Sequence, residues 1–282
     1  MFDPTPGVDP ERAARLTALV RECLPLWDQD DGREVVQRLL RDRDVGVFDA
    51  ILITRELLGA RAGDLGEAKA IVLSSPARDD VRRSHQQLVD TLERAQDVAE
   101  AVQVVIGADR TTVIAVDGPS ASGKTTLAET VAELLDGATI VHGDDFCRPM
   151  PDHERAQLDP QQGYQRHFDW QRLRDQVLVP LRADRTARYQ SYDWNTGRLA
   201  GWTEVTPGAP VIVEGVYSAR PELSPYYHLT VYVDTPREIC LRRMRARGEH
   251  SEEWITRWRA AEDFYLRTTW PQSRARLLVR GH

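Results

Sequence analysis

The chain has 282 residues, 41% of them hydrophobic, enough for one or two globular domains with a sizeable core. Its formal net charge of -7 argues against a general nucleic-acid binder, whose affinity rests on a basic face, yet leaves room for a local anion pocket. No apolar run reaches the length of a membrane span, Met1-Phe2-Asp3-Pro4 does not open a signal peptide, and Cys23, Cys147 and Cys240 fit neither a disulfide framework nor a zinc pattern, so a cytoplasmic protein with free thiols is expected.

Residues 1–108 read as a helical domain. Asp9-Pro10 is a good helix start, and Leu16, Leu19, Val20, Cys23 and Leu24 make an apolar stripe behind it, which Pro25 ends or kinks. Amphipathic segments follow over Glu34 to Leu40, Val47 to Leu58, Gly66 to Leu73 and Asp79 to about Val98, broken at Gly59, Gly63 and Ser74-Ser75-Pro76. The stretches Phe48 to Gly59 and Leu65 to Val72 are similar to the helix pair in the C-terminal domain of ribosomal protein L7/L12, through the R-E-x-x-G and L-x-E-A-K spacings. No function follows from that likeness.

From Asp109 to the end, apolar β-rich runs alternate with helical patterns. Thr112 to Val116, Ala138 to His142, Pro210 to Val213, Leu229 to Val233 and Leu277 to Val279 read as strands. Such alternation implies an α/β domain, residues 109–282, with a mostly parallel sheet flanked by helices and its active site at the carboxyl ends of the strands.

Between the first of these strands and a helix lies Gly118-Pro119-Ser120-Ala121-Ser122-Gly123-Lys124-Thr125, which fits the G-x-x-x-x-G-K-[ST] phosphate-binding pattern. Its glycines let the backbone curl so that N–H groups and the helix dipole face an anion. Gly118, Ser120, Ala121, Ser122, Gly123, Lys124, Thr125 and Thr126 are therefore the expected triphosphate-binding residues. Lys124, one of only two lysines with Lys69, would reach the β- and γ-phosphates, and the Thr125 hydroxyl would hold Mg²⁺. ATP and Mg²⁺ are the expected cofactors.

Three further features narrow the reaction. Asp144 and Asp145 directly follow a strand expected to lie beside the P-loop strand, where an aspartate can take the proton of an acceptor hydroxyl; a solvated pair opening a loop would look the same. Glu214 ends the apolar strand Val211-Ile212-Val213, well placed for Mg²⁺. Leu241-Arg242-Arg243-Met244-Arg245-Ala246-Arg247-Gly248 clusters arginines that either close over a phosphoryl group or form a solvated helix face.

Together these pieces resemble the uridine kinase and phosphoribulokinase branch of the P-loop kinases, over roughly residues 110–282. They come in family order: G-P-S-A-S-G-K-T-T-L-A, D-D-F at Asp144 to Phe146, H-F-D-W at His167 to Trp170, Y-D-W at Tyr192 to Trp194, V-E-G at Val213 to Gly215, then V-D-T-P and R-R-x-x-x-R-G. The resemblance implies a P-loop kinase domain with Asp144 as general base and metal-associated carboxylate, Glu214 at the metal, and Arg243 and Arg247 as lid arginines. It also implies Asp145, Phe168, Asp169, Tyr192 and Arg198 at the acceptor, with Asp169 on sugar hydroxyls.

Two positions depart from that pattern. Cys147 stands where D-S-F-Y has an aromatic residue, and Gly197 where uridine kinases carry a base-reading histidine. Trp170, Trp194, Trp202, Trp254, Trp258 and Trp270 could line a pocket, but the helical spacing of Trp254 and Trp258 assigns those two to the core. His142, His153 and His167 show no metal-ligand spacing and read as structural. The expected activity is phosphoryl transfer from ATP to a hydroxyl of a nucleoside-like small molecule, with no nucleic-acid or membrane partner and with homo-oligomerisation left open. A sugar phosphate, a vitamin precursor or a specialised metabolite is the alternative acceptor. A nucleotide-dependent switch is the alternative of another class; against it, the chain lacks an N-K-x-D sequence.

Overall fold

The computed structural model describes residues 10–59, 64–106 and 110–281. Gly63, Asp109 and the Asp9 helix start lie outside these residues. The chain divides into two compact units, Met1–Val89 and Asp90–His282.

The first unit holds α1 (Pro10–Trp27), α2 (Gly32–Asp42), α3 (Val47–Leu57), α4 (Asp64–Ser74) and the start of α5 (Asp79–Val105). Leu16, Leu19 and Cys23 of α1 meet Val36 and Leu40 of α2 and Ala50, Ile53 and Leu57 of α3 in one apolar core, at the three-and-four spacing an amphipathic helix requires. Leu24 is exposed instead, and α1 continues through Pro25 for two residues before it ends. A proline that close to the C-terminus sacrifices only one hydrogen bond.

The unit boundary falls inside α5, whereas the sequence places it at 108/109. Ala95, Val98, Ala99 and Val102 explain the difference: their stripe is buried against the sheet of the second unit, so the last turns of α5 belong to that unit's core. The helix also runs seven residues past Val98.

The second unit is built on β1 (Val113–Asp117), α6 (Lys124–Leu134), β2 (Thr139–His142), the short helices α7 (Asp152–Ala156), α8 (Pro160–Arg166), α9 (Trp170–Leu173) and α10 (Val179–Arg182), and the strands β3 (Ala187–Asp193) and β4 (Arg198–Val205). Then come β5 (Val211–Glu214), β6 (Leu229–Asp234), α11 (Arg237–Arg247), α12 (Glu252–Thr269), α13 (Pro271–Arg274) and β7 (Leu277–Arg280). Five strands form a parallel sheet in the order β2-β5-β1-β6-β7. Side chains alternate across it: Ile114, Val116 and Ile212 face α5 and α6, while Val113, Val211 and Val213 face a second core with Phe146, Leu173 and Tyr265.

β5 lies between β1 and β2, so β2 does not neighbour the P-loop strand as the sequence suggests. The crossover through α6 skips one position, which the chain fills only after some 70 residues, when β5 pairs with both. β3 and β4 form a separate antiparallel hairpin that the sequence reading does not include. Its second strand is exposed at seven of eight positions and so lacks the apolar run that marks a sheet strand. The alternating Ala187 and Tyr189 and the turn Asn195-Thr196-Gly197 are the signals that could have found it.

Candidate active site

β1 ends on Asp117, fully buried, whose two oxygens tie the loop start to its surroundings. Oδ1 accepts the Gly118 N–H at 2.7 Å, and Oδ2 accepts the Ala219 N–H at 3.0 Å and the Tyr265 hydroxyl. Burial pushes the Asp117 carboxyl up, against these hydrogen bonds and Lys124, which pull it down. Gly118 follows at φ 150°, where a Cβ would stand 2.6 Å from the Val233 carbonyl oxygen, so the close pass of β6 demands glycine.

The loop is braced from α12 as well. Glu262, 1% exposed, accepts the Ser120 N–H at 3.3 Å and the Ser120 hydroxyl. Arg243 of α11 donates to the Ala121 carbonyl at 3.2 Å, and Ala121 itself sits at φ 60°. Lys124 donates to the Pro119 carbonyl at 3.0 Å, its side chain folded over the loop. The Ser122 hydroxyl is buried with no hydrogen-bond partner.

The carboxyl ends of β2 and β5 bring the acidic residues to the same place. Gly215, at φ 152°, passes Gly143 so closely that a Cβ on it would lie 3.0 Å from the Gly143 Cα. Glu214 Oε2 accepts the Thr125 hydroxyl at 3.3 Å, and Glu214 Oε1 lies 2.8 Å from His142 Nδ1. That hydrogen bond raises the His142 pKa, against the cost of burial. Asp144 sits one residue into the turn after β2. Its carboxyl is crowded by protein yet reachable by solvent from the open side of the cleft, so its desolvation is partial. That desolvation raises its pKa, Lys124 and His142 oppose the rise, and Glu214 and Asp145 reinforce it.

Of these, Ser120, Ala121, Lys124, Thr125, Asp144 and Glu214 line a cleft of about 550 Å³ together with Thr126, Arg247 of α11, Trp194 of the hairpin turn, and Trp254 and Trp258 of α12, while Arg243 lies outside that lining, on the Ala121 carbonyl. Trp254 and Trp258 are half-buried cleft walls rather than core. Four-residue spacing on α12 stacks their rings 4.8 Å apart and 7° from parallel, with His250 beyond Trp254 and His167 beyond Trp258. Helical spacing places residues on one face but does not say what that face meets.

Other expected acceptor residues are spread more widely. Phe168 lines a side pocket behind Asp144, and Tyr192 packs edge-on against Trp194. Asp145 accepts the Tyr189 hydroxyl at 3.0 Å, and Asp169 caps α9 while accepting from Arg148 at 3.1 Å. Arg198 is exposed at the start of β4, opposite Asp193. His142, read as structural, instead bonds Glu214; Trp194, a candidate pocket residue, does line the cleft, while Asp117, Glu262 and Tyr265 join the site with no local motif to announce them.

A P-loop, Glu214 at the end of β5, Asp144 just after β2 and Arg247 of α11 are thus assembled around one cleft. A family profile matches residues 113–278, described as the phosphoribulokinase / uridine kinase family. The chain belongs to this family. The uridine kinase of Deinococcus deserti is 32% identical over 159 residues, spanning 52% of this chain and 75% of that protein. The uridine kinase of Borrelia duttonii is 28% identical over 164 residues, 56% of this chain and 76% of that one. A solved structure described as a possible uridine kinase from Bacillus stearothermophilus superposes with a TM-score of 0.54 at 24% identity, covering 66% of this chain and 97% of its own; that likeness concerns the fold.

Membership in the phosphoribulokinase / uridine kinase family makes the chain a phosphotransferase acting on a small-molecule hydroxyl, which sets aside the reading as a nucleotide switch. Among the described residues no helix is long and apolar enough to cross a membrane.

Proposed function

We propose that this kinase transfers the γ-phosphoryl group of ATP, with Mg²⁺, to a hydroxyl of a nucleoside-like acceptor. The observation that carries the reading is the convergence of Asp144, Lys124 and the Thr125–Glu214 pair on one cleft walled by aromatic rings. Asp144, with its raised pKa, takes the acceptor proton; Lys124 swings from the Pro119 carbonyl to the phosphates; and the loop N–H groups hold the triphosphate. The Ser122 hydroxyl, though without a partner, lies beside Gly118 and is not among the side chains lining the cleft. Arg243 and Arg247 offset charge as the leaving oxygen departs.

The donor set fits magnesium. Thr125 and Glu214 supply oxygen ligands 3.3 Å apart with Asp144 close by, and no group of three or more His, Cys, Asp or Glu side chains forms a closed metal cage among the described residues. Mg²⁺ favours such a site, taking one or two carboxylates and completing its shell with water and phosphate. Bound there, it would neutralise charge on the phosphate oxygens.

An ATP-consumption screen with Mg²⁺ against uridine, cytidine, sugar phosphates and common metabolites tests the proposal, with Lys124→Ala as control. Turnover by the unmodified protein alone, greatest with a nucleoside, supports it. A second reading keeps the mechanism and changes the acceptor to a sugar phosphate, a vitamin precursor or a specialised metabolite. It is favoured by Gly197, which puts no side chain at the position where uridine kinases carry a base-reading histidine. Turnover confined to such a compound selects it.

A further inference from the structure

Behind Asp144 the cleft leads into a side pocket of about 30 Å³, whose lining includes Asp144, His167, Phe168, Trp194, Tyr217 and Trp258. A space of that size holds one small polar group. Two of its lining residues carry polar atoms without a hydrogen-bond partner among the described residues. His167 is 2% exposed with neither ring nitrogen hydrogen-bonded, and Tyr217 is 2% exposed with its hydroxyl unpaired. Buried polar side chains are rarely left so, and that both belong to the lining of one pocket points to a ligand that completes them.

Their positions are set from elsewhere in the fold. The His167 N–H donates to the Gly163 carbonyl at 2.9 Å, its carbonyl accepts the Arg148 N–H at 2.8 Å, and its ring lies 2° from parallel to Trp258 at 4.5 Å. Tyr217 is held between Tyr164 and Tyr265, with ring centroids at 5.7 and 5.1 Å. Burial, with Arg155, Arg257 and Arg166 nearby, pushes the His167 pKa down to about 4, so the ring is neutral and offers one donor and one acceptor. No arginine or lysine lines the pocket, and Asp144 does, which disfavours a phosphate or carboxylate there.

We propose that His167 and Tyr217 form the acceptor-reading subsite: they hydrogen-bond an uncharged polar substituent, such as a ring carbonyl or amide, of a cyclic acceptor. The ring of that acceptor packs against Phe168, Trp194 and Trp258 and presents its hydroxyl to Asp144. The inference rests on the kinase reading above and adds to it the two residues that select the acceptor.

The test uses the full-length protein with His167→Phe, His167→Asn and Tyr217→Phe. Acceptor kinetics are measured with uridine, cytidine and ribose 5-phosphate, ATP affinity by titration, and uridine binding by tryptophan fluorescence without turnover. Each phenylalanine variant should raise the acceptor KM or Kd by about tenfold, with kcat within about twofold and ATP affinity unchanged, and His167→Asn should recover part of the loss. Unchanged acceptor affinity in Tyr217→Phe and in a folded His167→Phe overturns the subsite, as does an equal loss of ATP affinity. Preference for ribose 5-phosphate overturns the neutral acceptor and leaves the kinase reading standing. Uridine binding that the variants weaken, without transfer to any acceptor, overturns the kinase reading and leaves the subsite standing.

Discussion

The Thr125 hydroxyl, in the first turn of α6, donates to Glu214 at the end of β5 across 3.3 Å, although 89 residues separate the two in the chain. Parallel pairing of β1 with β5 makes the meeting possible: Val116 is in register with Glu214, so the strand that launches the P-loop carries the carboxylate beside it. On the function proposed above, this hydroxyl and carboxylate would supply two of the magnesium ligands.

Glu214→Gln keeps the shape and removes the charge. It should lower turnover at fixed magnesium by about 10- to 100-fold and raise the magnesium concentration needed for half-maximal rate. A magnesium titration of the initial rate checks it; an unshifted curve would take Glu214 out of the metal site.

Asp144→Asn should reduce kcat by about 10²- to 10⁴-fold while ATP still binds, the range a positioned general base contributes. Because crowding in the cleft raises the Asp144 pKa, the acid limb of the kcat/KM profile should fall above the ordinary aspartate value of 3.8. Near-normal turnover by a folded Asp144→Asn protein removes the base assignment.

Removing Glu262 leaves the Ser120 N–H and hydroxyl without their partner in a buried place. Glu262→Ala should cost about 1–3 kcal/mol of stability and weaken ATP binding with it, while Glu262→Gln, which can still accept, should cost less. Denaturant unfolding and ATP titration of the two variants distinguish a loop brace from a bystander; values for Glu262→Ala equal to those of the unmodified protein would mark a bystander.

The His142–Glu214 pair gives stability a pH dependence whose sign follows from the raised histidine pKa. Its contribution is complete below the ordinary value of 6.5 and is lost as pH rises through the higher folded value. The His142 side chain is 45% exposed, so solvent screening holds the effect below about 1 kcal/mol. The unfolding free energy of the unmodified protein minus that of His142→Gln should therefore be larger at about pH 5.5 than at about pH 9. A difference of the opposite sign would mean that the pair forms only with neutral imidazole.

Gly118→Ala should destabilise the protein by about 1–3 kcal/mol, since the new Cβ must displace either the loop or the β6 backbone. Thermal unfolding reads the loss, and an unchanged midpoint would show that the close pass to Val233 is not maintained in solution.

The glycine loop, its lysine and threonine, and the five apolar strands around it were legible in the sequence because each depends on local order: a fixed spacing, a two-residue alternation, a strand that leads into a helix. Asp144 and Glu214 were legible for the same reason, as acidic residues closing apolar runs. Strand order was not, since β5 enters between β1 and β2 only through pairings far apart in the chain. The hairpin escaped because β4 faces solvent and lacks the apolar pattern of a sheet strand. Glu262 and Tyr217 carry no motif, His167 opens the H-F-D-W motif but reads as structural there, and Trp254 and Trp258 looked like core because spacing along a helix defines a face without its neighbour. Local chemistry was thus set by the sequence itself, while the tertiary structure alone decided which distant side chains share the cleft, because packing and burial are non-local and give a side chain its partner, or leave it without one.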